Sequence, residues 1–126
     1  MKQLSETFKK QIVQRIVKNL LDIYILQIIK NEPTWGYKIK KSIEAEYGIK
    51  LRHGALYPLL NALENSGYLT SRKEKHGGRI RKVYEITPKG MQYLDAYYKF
   101  LSEQIQTKEA ETFTGKINEK QIATKQ

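Results

Sequence analysis

Arg52-His53-Gly54-Ala55-Leu56-Tyr57-Pro58-Leu59-Leu60-Asn61-Ala62-Leu63-Glu64-Asn65-Ser66, closed by Gly67, is the stretch whose reading decides the fold. Leu56, Leu59, Leu60 and Leu63 fall at i, i+3, i+4 and i+7, which lays one apolar stripe along a helix. Arg52, His53, Ala55, Tyr57 and Asn61 look away from that stripe. Gly54 and Pro58 work against the helix, since glycine costs roughly 1 kcal/mol relative to alanine and proline lacks a backbone donor. The leucines outweigh them, with a slight bend or a loose first turn expected at Pro58.

Upstream, residues 5 to 30 read as one long helix or two abutting ones. Ser5 is a candidate N-cap, and Phe8, Ile12, Ile16, Leu20 and Ile23 recur at spacings of three and four. From Leu20 the sequence turns apolar on most sides, as a helix in the centre of a core does. The first half carries a narrower stripe, suited to a partner subunit. Pro33 ends the run. A second helix is expected over 35 to 47, with Thr34 as its N-cap, Ile39, Ile43 and Tyr47 on one face, and Gly48 for a left-handed exit.

Downstream of Gly67 the period changes from about 3.6 to 2. Tyr68 to Glu74 and Arg79 to Ile86 flank Lys75-His76-Gly77-Gly78, a hairpin signal. Ile80, Tyr84 and Ile86 should cover the helices, with Arg79, Arg81, Val83 and Glu85 on the other side. Thr87-Pro88 starts a last helix, threonine capping and proline in the first turn. Its Met91, Leu94, Tyr97, Tyr98, Leu101 and Ile105 form more apolar surface than one small unit can cover, which calls for a homodimer that also uses Phe8 and Ile12. Three regions follow: a unit of helices and hairpin over 1–87, a dimerisation helix over 88–110, and a polar, flexible tail over 111–126.

Lys and Arg outnumber Asp and Glu by 23 to 13, a net charge of +10 that attracts either a polyanion or an anionic membrane surface. Seven basic against two acidic residues between positions 68 and 90 supply half of that surplus. The absence of cysteine excludes disulfides, thiolate metal sites and cysteine nucleophiles. His53 and His76 have no carboxylate motif near them, so neither metal nor cofactor is expected. Neither a catalytic triad nor a phosphate-loop pattern is present, and the chain is not expected to be an enzyme. Without an 18-residue apolar run or a leader-like start, a soluble cytoplasmic protein is expected, with no membrane partner.

Helix, helix, helix, hairpin is the order of a winged helix-turn-helix. The fold expected is therefore mainly α with a small β-hairpin, extended by a long C-terminal helix. Residues 20 to 90 resemble the PadR family of transcriptional regulators. The resemblance rests on Leu-Asp-Ile-Tyr-Ile-Leu (21 to 26), Trp-Gly-Tyr-Lys-Ile (35 to 39), Gly-Ala-Leu-Tyr-Pro-Leu-Leu-Asn-Ala-Leu-Glu (54 to 64), Gly-Gly-Arg-Ile-Arg-Lys-Val-Tyr (77 to 84) and Ile-Thr-Pro-Lys-Gly (86 to 90). It implies a dimeric DNA-binding protein, usually a repressor, with a single C-terminal dimerisation helix. Two departures stand out. Where the family usually opens the third helix with Ser or Thr, this chain has Arg52 and His53. Some short members stack flat drugs on a tryptophan of the C-terminal helix, whereas the one tryptophan here is Trp35.

Under this reading Arg52, His53, Ala55 and Asn61 face base edges or phosphates of double-stranded DNA, against the alternative of a solvated polar face. Tyr57 either binds a phosphate or completes the core. Tyr37 and Lys38, at a helix start, and Lys50 are phosphate candidates. Lys73, Lys75, Arg79, Arg81 and Lys82 form a basic wing, or else a charged pair of edge strands. Two further readings stay open: an aromatic small-molecule effector held among Tyr93, Tyr97, Tyr98 and Phe100, and a nonspecific DNA-coating protein.

Overall fold

The computed structural model describes the backbone of residues 2–125 and the side chains of residue 3 and residues 5–107. Residues 1–94 form one compact unit and residues 95–126 a second. Among the described residues, five helices and three strands follow one another as α1 (Lys2–Asn19), α2 (Leu21–Asn31), β1 (Thr34–Trp35), α3 (Gly36–Tyr47), α4 (His53–Asn65), β2 (Leu69–His76), β3 (Arg79–Ile86) and α5 (Pro88–Lys125). The chain is thus mainly helical with a small antiparallel sheet, the winged-helix arrangement. The expectation of a polar, flexible tail over 111–126 concerns side chains outside the described residues.

The N-terminal stretch resolves into two abutting helices. Leu20 leaves helical geometry (φ −115°, ψ 32°), and its carbonyl accepts from Ile23 and Tyr24 to open α2. α2 then buries Leu21, Ile23, Ile25, Leu26 and Ile29. α1 buries Val17 and leaves Phe8, Ile12 and Ile16 at 53%, 55% and 42% exposure.

The expected cap at Thr34 is not formed. Thr34 pairs with Tyr84, and Trp35 with Val83, so β1 becomes a third strand beside β3 in the order β1-β3-β2. Extended pairing holds the Thr34 backbone away from the cap position, which falls to Trp35 without a side-chain bond, and the buried Thr34 hydroxyl has no hydrogen-bond partner among the described residues. α3 ends as expected on Gly48 at φ 64°, and the connector is fastened by the Leu51 amide, which donates to Glu44 Oε2 at 2.8 Å. That bond is the main cause holding the Glu44 carboxyl below its usual range.

α4 buries Leu56, Leu60 and Leu63 and leaves Leu59 half-buried. Its exit is a Schellman turn: Tyr68 N–H donates to Leu63 O, Gly67 N–H donates to Glu64 O, and Gly67 takes φ 81°. The hairpin is longer than expected. Lys75 and His76 pair with Ile80 and Arg79, so the reversal shrinks to Gly77-Gly78, both at positive φ (56° and 79°). Its sidedness also differs. Ile80 is 75% exposed because it lies near the hairpin tip, while Val83 is buried on the supposedly open face, where Trp35 of β1 stands beside it.

Thr87 caps α5: its Oγ1 accepts from Gly90 N–H at 3.0 Å and donates to Gly67 O at 2.6 Å. Leu94 is fully buried in the single chain, so it is not available to the dimer surface expected of it. No helix among the described residues is long and apolar enough to cross a membrane.

Candidate nucleic-acid interface

The outer side of α4 is built by default from what the leucine stripe leaves over. His53, Ala55, Tyr57 and Asn61 are all exposed, and Arg52 precedes them in extended conformation (φ −81°, ψ 148°). His53 stacks on Tyr57 with ring centroids 5.6 Å apart and planes 22° from parallel. Tyr57 is only 36% exposed because its ring lies against the start of α3, so it is half core and half surface. Gly36 makes that approach possible: a Cβ there would stand 2.7 Å from Tyr57 Cε1.

A cleft of about 280 Å³ runs between α4 and the hairpin, lined by Trp35, Gly36, Tyr57, Asn61, Arg81, Lys82 and Tyr84. It joins residues of the helix and of the wing that sequence reasoning assigned to one function. Tyr37 is half exposed in the first turn of α3, with the Lys41 ammonium 5.4 Å from its ring centre. Lys38 and Lys50 are exposed.

The wing cations are not equivalent. Lys82 reaches across to Glu64 on α4 at 3.0 Å, and Ser71 donates a hydrogen bond to the same carboxylate. The Ser71 bond, then Lys82, lowers the Glu64 pKa, and the Glu64 bond raises that of Lys82. Lys82 is therefore an anchor between wing and helix, its charge already compensated. Arg72, which sequence reasoning left out, is held by Glu74 and by Glu85, the latter at 2.7 Å, and both raise its pKa. Lys73, Lys75, Arg79 and Arg81 have no acidic partner among the described residues. These four carry the net charge of the wing outward. The anchoring role of Glu64 had no sequence signal beyond its place at the end of the leucine stripe.

No group of His, Cys, Asp and Glu among the described residues is arranged to hold a metal ion. On α5, Tyr93 stacks on Tyr68 at 4.5 Å, which uses its ring within the protomer.

The model of the transcriptional regulator PadR-like family matches residues 25–96, the span from α2 to the start of α5. The transcriptional regulator Rv3488 of Mycobacterium tuberculosis is 41% identical over 46 residues, covering 36% of this chain and 43% of its own length. The chain thus aligns with less than half of that relative. Among solved structures, smu.1704 of Streptococcus mutans is 34% identical with a TM-score of 0.61, covering 68% of this chain and 78% of that one. PadR of Bacillus subtilis, solved in complex with operator DNA, is 28% identical with a TM-score of 0.57, over 63% of this chain and 45% of that one. Family members are transcriptional regulators and not enzymes. With the family model spanning more than half of the chain and the same winged-helix elements in the same order, this protein belongs to the PadR-like family of transcriptional regulators.

Proposed function

We propose that the protein binds double-stranded DNA sequence-specifically as a symmetric homodimer and regulates transcription, as a repressor. The observation that carries this reading is the cleft where exposed α4 residues meet Arg81 and Lys82 of the wing, whose Lys73, Lys75, Arg79 and Arg81 have no acidic partner among the described residues. α4 would enter the major groove, with Arg52, His53, Ala55 and Asn61 toward base edges and Tyr57 toward phosphate. Lys73, Lys75, Arg79 and Arg81 would follow the flanking backbone or minor groove, and Tyr37, Lys38 and Lys50 would add phosphate contacts. The operator complex of Bacillus subtilis PadR supports this docking by analogy. Two recognition helices about 34 Å apart would read successive major grooves.

A second copy is favoured by large apolar side chains exposed in the single chain: Phe8, Ile12 and Ile16 on α1, and Phe100 and Ile105, with the partly exposed Tyr98, on α5. The exposed rings of Tyr98 and Phe100, which point to different sides of α5, each also favour, as a second reading, a flat aromatic effector held between subunits.

Selection of bound duplexes from random sequence, followed by footprinting of the winner, tests the main reading. One discrete protected site is expected, and uniform protection would point to a coating protein instead. On the selected site, Arg79→Ala with Arg81→Ala should weaken binding to every duplex and flatten its salt dependence, whereas Asn61→Ala should change preference among sequences. Light scattering should give twice the chain mass, and a monomer at micromolar concentration would refute the dimer.

A further inference from the structure

The one tryptophan stands where the start of α3 meets the wing. Its backbone is fixed in β1 by pairing with Val83. Three side chains gather on its ring: the Arg81 guanidinium carbon at 4.9 Å, the His76 ring at 4.9 Å and 39°, and the Lys38 ammonium at 5.3 Å. Two of these come from the wing, one from each strand.

The surroundings of Arg81 make this arrangement informative. Its direct cross-strand partner is Glu74, the natural counter-ion for an arginine at that position. Yet Glu74 is taken by Arg72 through one carboxylate oxygen and lies 3.3 Å from His76 Nε2 through the other. Arg81 rests instead on a neutral ring. A carboxylate would orient the guanidinium and also cancel its charge, which would remove it from any interaction with a polyanion. The negative face of an indole orients it and leaves the full charge in place. Arg79, by contrast, is exposed, and no ring among the described residues supports it.

We infer that Trp35 is a positioning residue for DNA binding, its ring holding Arg81 as an oriented but un-neutralised cation for the phosphate backbone. This rests on the proposed docking of the wing. It adds to it a residue that brings no charge to the phosphates and still sets the affinity. The salt dependence of binding counts the charges that meet phosphate, and Trp35 carries none. Its loss should therefore lower affinity without changing the slope, a signature that separates a positioning ring from a contacting cation.

The test is a double-mutant cycle on the full chain, read by fluorescence anisotropy on a labelled mixed-sequence duplex across a salt series. Trp35→Ala should weaken binding by about two- to five-fold per wing, the range of an exposed cation–π contact, at unchanged salt slope. Arg81→Ala should weaken binding and flatten the slope, and adding Trp35→Ala to it should cost nothing further. Trp35→Phe, a flat ring with a weaker field, should fall between wild type and alanine, and it replaces alanine in the cycle if that variant fails to melt cooperatively. Without DNA, Arg81→Ala should already shift the indole emission, which comes from this one residue. Equal losses from Trp35→Ala in both backgrounds would mark a merely structural residue and overturn the inference, as would wild-type affinity in Trp35→Ala. Wild-type protein that binds no duplex would overturn the docking itself.

Discussion

Gly90→Ala is expected to be among the most damaging single-methyl additions this chain can receive. Gly90 sits in the first turn of α5, against the root of the hairpin. A Cβ placed there would stand 2.2 Å from the Tyr68 carbonyl oxygen and 2.8 Å from Ile86 Cγ1. Ordinary contact begins near 3.4 Å, so backbone has to move by roughly 1 Å. The Tyr68 carbonyl is not idle: it accepts the Thr87 amide at 3.0 Å, and Thr87 in turn caps α5 and bonds Gly67. Overpacking costs about 1–3 kcal/mol, and a disturbed buried hydrogen bond adds about 1. The better helix propensity of alanine returns up to about 1 kcal/mol, so a net loss of about 1–3 is expected. Gly54→Ala is the control. Beyond its own helical turn, no atom among the described residues lies within 4 Å of its Cβ site, and a gain of about 0.5–1 kcal/mol is expected from the same propensity acting alone. Urea unfolding followed by circular dichroism measures both. Gly90→Ala as stable as wild type would refute the packing argument, and a midpoint shift with a changed slope would show that the native state has rearranged.

Glu64→Gln tests the anchor between wing and helix. Because Ser71 and Lys82 lower its folded-state pKa, the Glu64 charge contributes stability above the ordinary carboxylate range and loses it as pH falls through the lowered value. The stability gap between wild type and Glu64→Gln should therefore be constant near neutrality and close in acid; a gap that ignores pH would mean the ion pair contributes nothing. Thr34→Val removes a buried hydroxyl that has no partner among the described residues, so a gain of about 1 kcal/mol is expected in thermal unfolding, and a loss would indicate a hydrogen bond supplied by bound water.

Local patterns in the sequence were enough to find the helices and the hairpin. The leucine stripe of α4, the glycine exits at Gly48 and Gly67 and the Thr87-Pro88 start each depend on neighbours within a few residues, and each appears in place. β1 was not legible. Two residues have no periodicity, and the partner that makes them a strand lies almost fifty positions away at Val83 and Tyr84. Missing that strand explains both linked errors, the cap assigned to Thr34 and the open face assigned to Val83. At the candidate site the charges were legible but not how they pair. Counting cations placed Lys82 beside Arg81, and only the fold separates an anchor on Glu64 from a cation resting on a ring. Leu94 shows the same limit, since its helical stripe does not say which of its two neighbours, its own unit or another chain, buries it.

The strand order β1-β3-β2 leaves the whole outer edge of β2, eight residues long, without a strand partner among the described residues. Such an edge is a template for joining another sheet. Here Arg72, Lys73 and Lys75 are spaced along it with a single acidic residue, Glu74, so that a second copy approaching edge to edge would meet like charge. The basic residues of the wing thus also act as gatekeepers against aggregation. A variant stripped of Lys73 and Lys75 to silence polyanion binding would lose that protection too, and its solubility and its binding would fall together.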